Sequence, residues 1–312
     1  MPRKVILDID PGIDDALALA IALFDPQLEV VAVTATSGCV GAERSTANLQ
    51  ALVNLLDPPR LPRLGLAPTD VSPTPFPWPL DGADGLGGLD LPLVSLHGGH
   101  VAEKVIGEVL RAHPRQVSIV ALGPLTNLAR LFRRDPSAAD LVQEVIVAGG
   151  TLRGTGDASP VADANFLADP AAARQVVGEP VAKVLVPLET AGQLVLGFGV
   201  LDQLPDESSR AGLLVRGMLP HAFRAQRQFL GSEGIILPGT VALVAATNPE
   251  LFERTTVAAD VETAGELTAG MLVVDRRQAR RWPLSADLLT SCDPVAVEDC
   301  ILRGIAAAAA AT

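Results

Sequence analysis

The sequence is poor in cysteine, lysine, histidine and aromatic residues, and it has no tyrosine. Its three cysteines, Cys39, Cys292 and Cys300, are too few and too scattered for a disulfide framework. No Cys-x-x-Cys pair or Cys/His cluster has zinc-ligand spacing. Positive charge is also short, for 24 lysines and arginines face 36 acids, a formal net charge of −12. A basic surface is therefore lacking, and nucleic acid is not an expected partner. The lysines are Lys4, Lys104 and Lys183 alone; that bias and the missing tyrosine read as a compositional habit with no functional content. No run of 18 apolar residues is free of charge and proline, so no membrane association is expected. The opening residues pass directly into a strand-like run ending in acids, unlike a signal peptide, and a reducing cytoplasmic setting is the expectation.

What is present is apolar. With 312 residues, 48% hydrophobic and 19% charged, the chain is excluded from the disordered class and can bury a large core. Apolar runs at Lys4–Ile9, Glu29–Thr36, Val117–Leu122, Val145–Ala148 and Lys183–Val186 predict strands. Segments with helical spacing lie between them, at Ile13–Phe24, Ala42–Leu56, Leu125–Phe132 and Pro170–Val177; Leu213–Phe229 is a further one. This alternation predicts an α/β fold, an open and mostly parallel β-sheet with helices on both faces. The expected organisation is a single domain over 1–312 with two loop excursions. The first, at about 57–99, holds nine of the 25 prolines; the second is at about 149–169. The alanine-rich tail from Ile305 to Thr312 is expected to be a fraying helix or simply disordered.

The segment Asp8-Ile-Asp10-Pro-Gly-Ile-Asp14-Asp15 carries most of the chemistry. Four aspartates fall within eight residues where a strand gives way to a helix, the place at which open α/β sheets bind ligands. Asp8 and Asp10 share a strand face by its period of two, and Asp14 and Asp15 enter the first helical turn. Carboxylates this dense repel one another unless a cation lies between them, and oxygen donors suit Ca²⁺ or Mg²⁺. Helix capping accounts for one or two of the four.

This segment resembles the D-x-D-x-G-x-D-D signature of the inosine–uridine preferring nucleoside hydrolases. Further matches extend the resemblance over nearly the whole chain: Val120-Ala-Leu-Gly-Pro-Leu-Thr-Asn-Leu, Val147-Ala-Gly-Gly with Gly156-Asp157, Ala162-Asp163-Ala164-Asn165, Asp169-Pro170, Val186-Pro-Leu-Glu189-Thr190 and Val261-Glu262-Thr263. The resemblance implies a Rossmann-type core and hydrolysis of the N-glycosidic bond of a ribonucleoside by a Ca²⁺-held water. It implies Asp10 as general base and calcium ligand, with Asp15 and the Leu122 carbonyl as further ligands. Asp14 and Asn165 would hold the ribose hydroxyls, with Asp157 and Asp163 near the 5′-hydroxyl. A small nucleoside is the implied partner, and a homodimer or homotetramer the implied assembly.

The chain departs from the family pattern in four places, the last of them a pair. Cys39 follows Gly38 where the family has asparagine, Asp81 stands at a histidine, and Ala164 at a phenylalanine. Pro238-Gly239 stands where the family has a histidine that protonates the leaving base and an aspartate that binds calcium and ribose. A water, or an acid such as Glu233, Asp81 or Asp84, would have to take the place of that aspartate. The alternative reading is a silent member that binds a nucleoside or ribose-like ligand. A third reading, a haloacid-dehalogenase-like phosphatase with Asp8 as nucleophile, lacks the expected Thr or Val after the second aspartate. Of the remaining candidates, His221, Arg224 and Arg227 border a pocket if their helix does. Phe76 and Trp78 either stack on a base or anchor their loop. His97, His100 and His113 read as capping, packing or surface residues, and Cys39 as a packed thiol.

Overall fold

The chain folds as alternating strands and helices from its first residues, and most boundaries fall within two or three residues of the sequence pattern. The computed structural model describes residues 2–71, 79–92, 99–153, 155–279 and 281–312. In order, β1 (Arg3–Ile9), α1 (Ile13–Phe24), β2 (Leu28–Ala35), α2 (Ala42–Leu56), β3 (Arg63–Leu66), β4 (His100–Val101) and α3 (Ala102–Ala112) come first. Then follow β5 (Val117–Ala121), α4 (Thr126–Arg134), β6 (Glu144–Ala148), α5 (Ala164–Ala168), α6 (Pro170–Gly178) and β7 (Lys183–Val186). The last third holds α7 (Leu188–Ala191), α8 (Arg210–Leu230), α9 (Pro238–Thr247), β8 (Phe252–Val257), β9 (Ala259–Val261), β10 (Leu272–Val274), β11 (Ala286–Cys292) and α10 (Pro294–Ala311).

Nine strands form one sheet in the order β4-β3-β2-β1-β5-β6-β7-β11-β8, and β9 pairs with β10 apart from it. All neighbours in the large sheet run parallel except the edge pair β11–β8. From β1 the chain builds β2 on one side and, much later, β5 on the other. The crevice beyond the carboxyl ends of β1 and β5 is thus a topological switch point.

Period-two alternation sends Val5, Leu7 and Ile9 into one apolar cluster and Ile6 into the other. The first cluster contains α1, whose Ala16 to Ala22 are all buried, with α8, α9 and α10 around it. Helix α1 is apolar on every side because other helices cover the face turned away from the sheet.

Three expectations need correction. The 57–99 region contains strand β3, and the 149–169 region contains α5. The alanine-rich tail is the end of α10, with Ile301, Ile305 and Ala308 buried among the first cluster. Alanine's helix propensity, with a buried residue every three or four positions, keeps that end helical. Replacing Ile305 by alanine is expected to cost about 2–4 kcal/mol, read as a lower urea midpoint at unchanged slope; a loss near zero would mean that the tail contributes nothing to the core.

Candidate functional site

Beyond the ends of β1 and β5 lies a cavity of about 480 Å³. Asp10, Asp14, Asp15, Leu122, Asp157, Asp163 and Asn165 all line it, although they come from three separate segments of chain.

The turn between β1 and α1 fixes the first three. Asp15 Oδ2 accepts from the Asp10 N–H at 2.8 Å and locks that turn. Asp10 Oδ2 accepts from the Cys39 N–H at 2.7 Å, while the Cys39 thiol donates to the Asp10 carbonyl at 3.2 Å. Two glycines make room for the Asp10 carboxylate. A Cβ at Gly38 would collide with Oδ2, and one at Gly123 would sit 2.5 Å from Oδ1. Burial pushes the Asp10 carboxyl up to about 7 against the Cys39 hydrogen bond, and the charge of Asp81 adds to the shift. Asp15 is held well above the usual carboxylate range by burial, then by the charges of Asp10 and Asp14.

Asp14 reaches across to α9. Its Oδ2 accepts from the Gly239 N–H at 2.6 Å, and its Oδ1 accepts from Thr240 N–H at 2.9 Å and Thr240 Oγ1 at 2.6 Å. The N-terminus of α9 thus meets a negative side chain from α1.

On the opposite wall, the Asn165 amide donates to the carbonyls of Leu122 and Ala148. Asp163 caps α5 through the N–H groups of Asn165 and Phe166, and its other oxygen accepts from Gly150 N–H at 2.7 Å. Both of its oxygens thus accept from backbone, and it caps α5 while lining the cavity. Asp157 accepts from Ala164 N–H at 3.0 Å through one oxygen. Burial raises Asp163 to about 7, with Asp157's charge adding, and raises Asp157 to about 6.

Of the acids considered as replacements near Gly239, the structure brings only Asp81 to the cavity. Asp81 Oδ1 accepts from Ile13 N–H at 2.8 Å, and burial, then Asp14 and Asp84, raises its carboxyl to about 6. Asp84 turns back on its own loop, accepting from Leu86 and Gly88 N–H. Glu233 is solvent-exposed beside Arg227. At Gly239 itself, a Cβ would lie 2.9 Å from Asp15 Oδ1 and 3.1 Å from Asp14 Oδ2.

Other candidates fall elsewhere. Asp8 is buried below the cavity, accepting from Thr34 Oγ1 at 2.6 Å and Asn127 Nδ2 at 2.8 Å, with its carboxyl raised to about 6 by burial. It does not line the cavity, which removes the nucleophile of the phosphatase reading. The Cys39 thiol does line it, but burial, then Asp10 and Asp81, keeps it protonated. His221 packs against Gly82 and Gly87, and Arg224 and Arg227 are exposed. His100 faces Lys104, and His113 ends α3; neither reaches the cavity. Phe76, Trp78 and His97 lie outside the described residues.

Two features escaped the sequence reading. Helix α8 presents Ala222, Gln226 and Leu230 to the cavity, a spacing of four that the charged residues beside them obscured. Gln226 exchanges two hydrogen bonds, both 2.9 Å, with the backbone of Ile236 and pins that wall. Glu189 also lines the cavity at the start of α7. Its Oε1 accepts from the N–H groups of Leu152 and Arg153, both at 2.7 Å, and its Oε2 is buried without a partner. That glutamate appeared in sequence only as part of a matching segment.

Seven acids line the cavity, and among the described residues no lysine, arginine or histidine does. Such a wall favours a cation, and its hard oxygen donors suit Ca²⁺. Among the described residues no three acid, cysteine or histidine side chains converge with metal-ligand spacing. What remains is a set of two carboxylates, Asp10 and Asp15, with the Leu122 carbonyl. This set fits a hard divalent ion that takes its other ligands from water or substrate.

Comparison with known proteins agrees in sequence and in fold. A family model described as inosine-uridine preferring nucleoside hydrolase matches residues 5–299. The non-specific ribonucleoside hydrolase RihC of Salmonella enteritidis is 32% identical over 295 residues, 93% of each chain. The inosine-uridine preferring nucleoside hydrolase of Leishmania major is 31% identical over 90% of each chain. The solved plant nucleoside hydrolase PpNRh1 superposes with a TM-score of 0.87 at 26% identity, covering 98% of this chain and 99% of its own. The purine-preferring ribonucleoside hydrolase from Gardnerella vaginalis shares the fold with a TM-score of 0.89 at 23% identity, over 98% of this chain and 99% of its own.

Proposed function

This chain belongs to the inosine–uridine preferring nucleoside hydrolase family, and on that footing we propose that it hydrolyses the N-glycosidic bond of ribonucleosides with Asp10 as the base. The observation that carries this reading is the Asp10 carboxylate, buried at the switch point of the sheet and kept clear by Gly38 and Gly123. Asp10, Asp15 and the Leu122 carbonyl would hold Ca²⁺, which when bound supplies the positive charge that offsets these carboxylates and eases loss of a proton from water.

The protein groups then divide the work. Asp10 accepts the proton of the water that attacks C1′. As the bond to the base stretches, positive charge grows on the ribose ring, and the carboxylates of Asp10 and Asp14 stabilise it. Asp14 is pre-oriented by Gly239 and Thr240, so little ordering is left for the moment of reaction. The Asn165 amide N–H₂ is spent on two carbonyls, which leaves its oxygen to accept from a ribose hydroxyl. Asp157, with one oxygen on Ala164 N–H, would accept from the 5′-hydroxyl through the other. Asp163 acts one step back, shaping the loop and the helix that carry Asn165.

The second reading, a ligand-binding protein without turnover, draws on Gly239, which removes a carboxylate from beside Asp14 and Asp15. Cleavage of p-nitrophenyl riboside separates the two, because that leaving group departs without a proton donor. Calcium-dependent release of p-nitrophenol, lost on chelation and restored by calcium, is the expected result. No release from folded protein in saturating calcium would establish the silent reading instead.

A further inference from the structure

Helix α9 starts without a cap of its own. Leu237 stands at its N-cap position and offers no side-chain acceptor. Pro238, the first helical residue, has no N–H to satisfy, so Gly239 and Thr240 carry the donors that a cap would serve. Asp14 serves both, from a helix that lies 225 positions earlier in the chain. It does for α9, across the fold, what an N-cap serine or aspartate does from within one helix.

The hydrogen bonds on this carboxylate can be counted. Gly239 N–H takes one lone pair of Oδ2 at 2.6 Å. Thr240 N–H and Thr240 Oγ1 take both lone pairs of Oδ1, at 2.9 and 2.6 Å. The Thr240 hydroxyl has a single hydrogen, and Oδ1 is a nearer acceptor for it than the Asp14 carbonyl at 3.3 Å. A carboxylate offers about four lone pairs, so α9 takes three and one remains, on Oδ2. Thr240 is fully buried and does not line the cavity, whereas Gly239 and the half-buried Asp14 do. Oδ1 thus lies on the core side and Oδ2 on the side open to a ligand. Capping alone needs only the two N–H groups, which already grip the carboxylate as a fork. The hydroxyl is a third donor, and its effect is to close Oδ1.

We propose that Thr240 is a positioning residue for ribose recognition: its hydroxyl closes Oδ1 and leaves Asp14 one acceptor site, on Oδ2, for one ribose hydroxyl. The inference rests on the hydrolase reading above and deepens its account of the ribose end. Without that hydroxyl a lone pair opens on Oδ1, and the carboxylate rocks on its two N–H donors. The orientation that was fixed in advance must then be supplied by substrate binding.

The test crosses Thr240→Val and Thr240→Ser with p-nitrophenyl riboside and its 2-deoxy and 3-deoxy analogues, all in saturating calcium. Valine keeps the shape and the backbone N–H but lacks the O–H; serine keeps both donors. Thr240→Ala repeats the deletion without the second methyl group. Comparing each substrate across proteins cancels its intrinsic reactivity. Wild type is expected to lose about 10²-fold or more in kcat/KM on the analogue that lacks the hydroxyl held by Asp14. In Thr240→Val that loss should shrink about 10-fold, while the loss on the other analogue stays within about threefold of wild type. Thr240→Ser should keep the wild-type pattern. A threonine that only caps the helix has a different signature. Its removal lowers the melting temperature and slows all three substrates by one factor, and that result overturns the proposal. Equal shrinkage on both analogues also overturns it, because the whole ribose end has then loosened. So does a serine variant that behaves like valine. These outcomes sink the inference and leave the hydrolase reading standing. If wild type cleaves none of the three, the hydrolase reading fails, and the same cross is read by calorimetry on 1,4-anhydroribitol and its 2-deoxy and 3-deoxy forms. Discrimination by wild type that shrinks in Thr240→Val supports the positioning role; equal binding of all three, or none, overturns it.

Discussion

Asp10→Asn is expected to lower turnover of p-nitrophenyl riboside by about 10³-fold or more. The substitution removes the base that takes the proton of water and one of the two carboxylates proposed for calcium. The amide keeps the shape of the side chain, so the glycine-lined space at Gly38 and Gly123 still holds it. Loss of activity through misfolding has a distinct signature. Burial lifts the Asp10 carboxyl to about 7, well above its unfolded value, so in metal-free protein it costs stability as pH rises from about 4 through 7. Below that window both states are protonated and the cost vanishes. Without calcium at pH 8, the variant should therefore melt no lower than wild type, and calcium should stabilise wild type more. A variant that stays within tenfold of wild-type activity would remove Asp10 from the role of base.

Gly239→Asp is expected to tighten calcium binding by about 10²-fold. Outer hydrogen-bond partners of metal ligands already carry about 10–100-fold, and a direct carboxylate ligand contributes at least as much. The backbone tolerates the change, because Gly239 does not use the left-handed conformation. The nearest obstacles to a Cβ are the carboxylate ends of Asp15 and Asp14, which must give by a few tenths of an ångström against the hydrogen bonds that hold them. The new charge sits in the first turn of α9, where the helix dipole favours it, yet beside two buried acids that disfavour it until a cation binds. The metal-free variant should accordingly melt lower than wild type and gain more from calcium. Calorimetry reads the affinity directly. An unchanged dissociation constant in a folded variant would show that an added carboxylate cannot reach the ion from this position.

The first half of the chain was legible because its signals are local. Strand β1 and helix α1 each bury what their period dictates, and the acids between them stand out against apolar neighbours. The elements of the last third were harder. Helix α9 is apolar on nearly every side, a pattern that short strands share, and only its covering by α1 and β6 makes it a buried helix. Strand β8 exposes four residues in a row because it lies at the sheet edge, so its alternation is lost. The alanine tail was open between helix and disorder because composition alone says nothing about which residues meet a partner.

The sequence by itself determined the α/β alternation, the acidic turn after β1, and the family, through motifs spread from Asp8 to Thr263. These depend on residue type and spacing along the chain. Only the tertiary structure decided which acids share the cavity, that Asp163 also caps α5, that Asp81 enters while Asp84 and Glu233 do not, and that Glu189 keeps one buried oxygen unpartnered. Parallel strands are joined by long crossovers, so residues that meet at their carboxyl ends are far apart in sequence. Whether a carboxylate there is free, paired or buried depends on which donors the crossovers bring back to it.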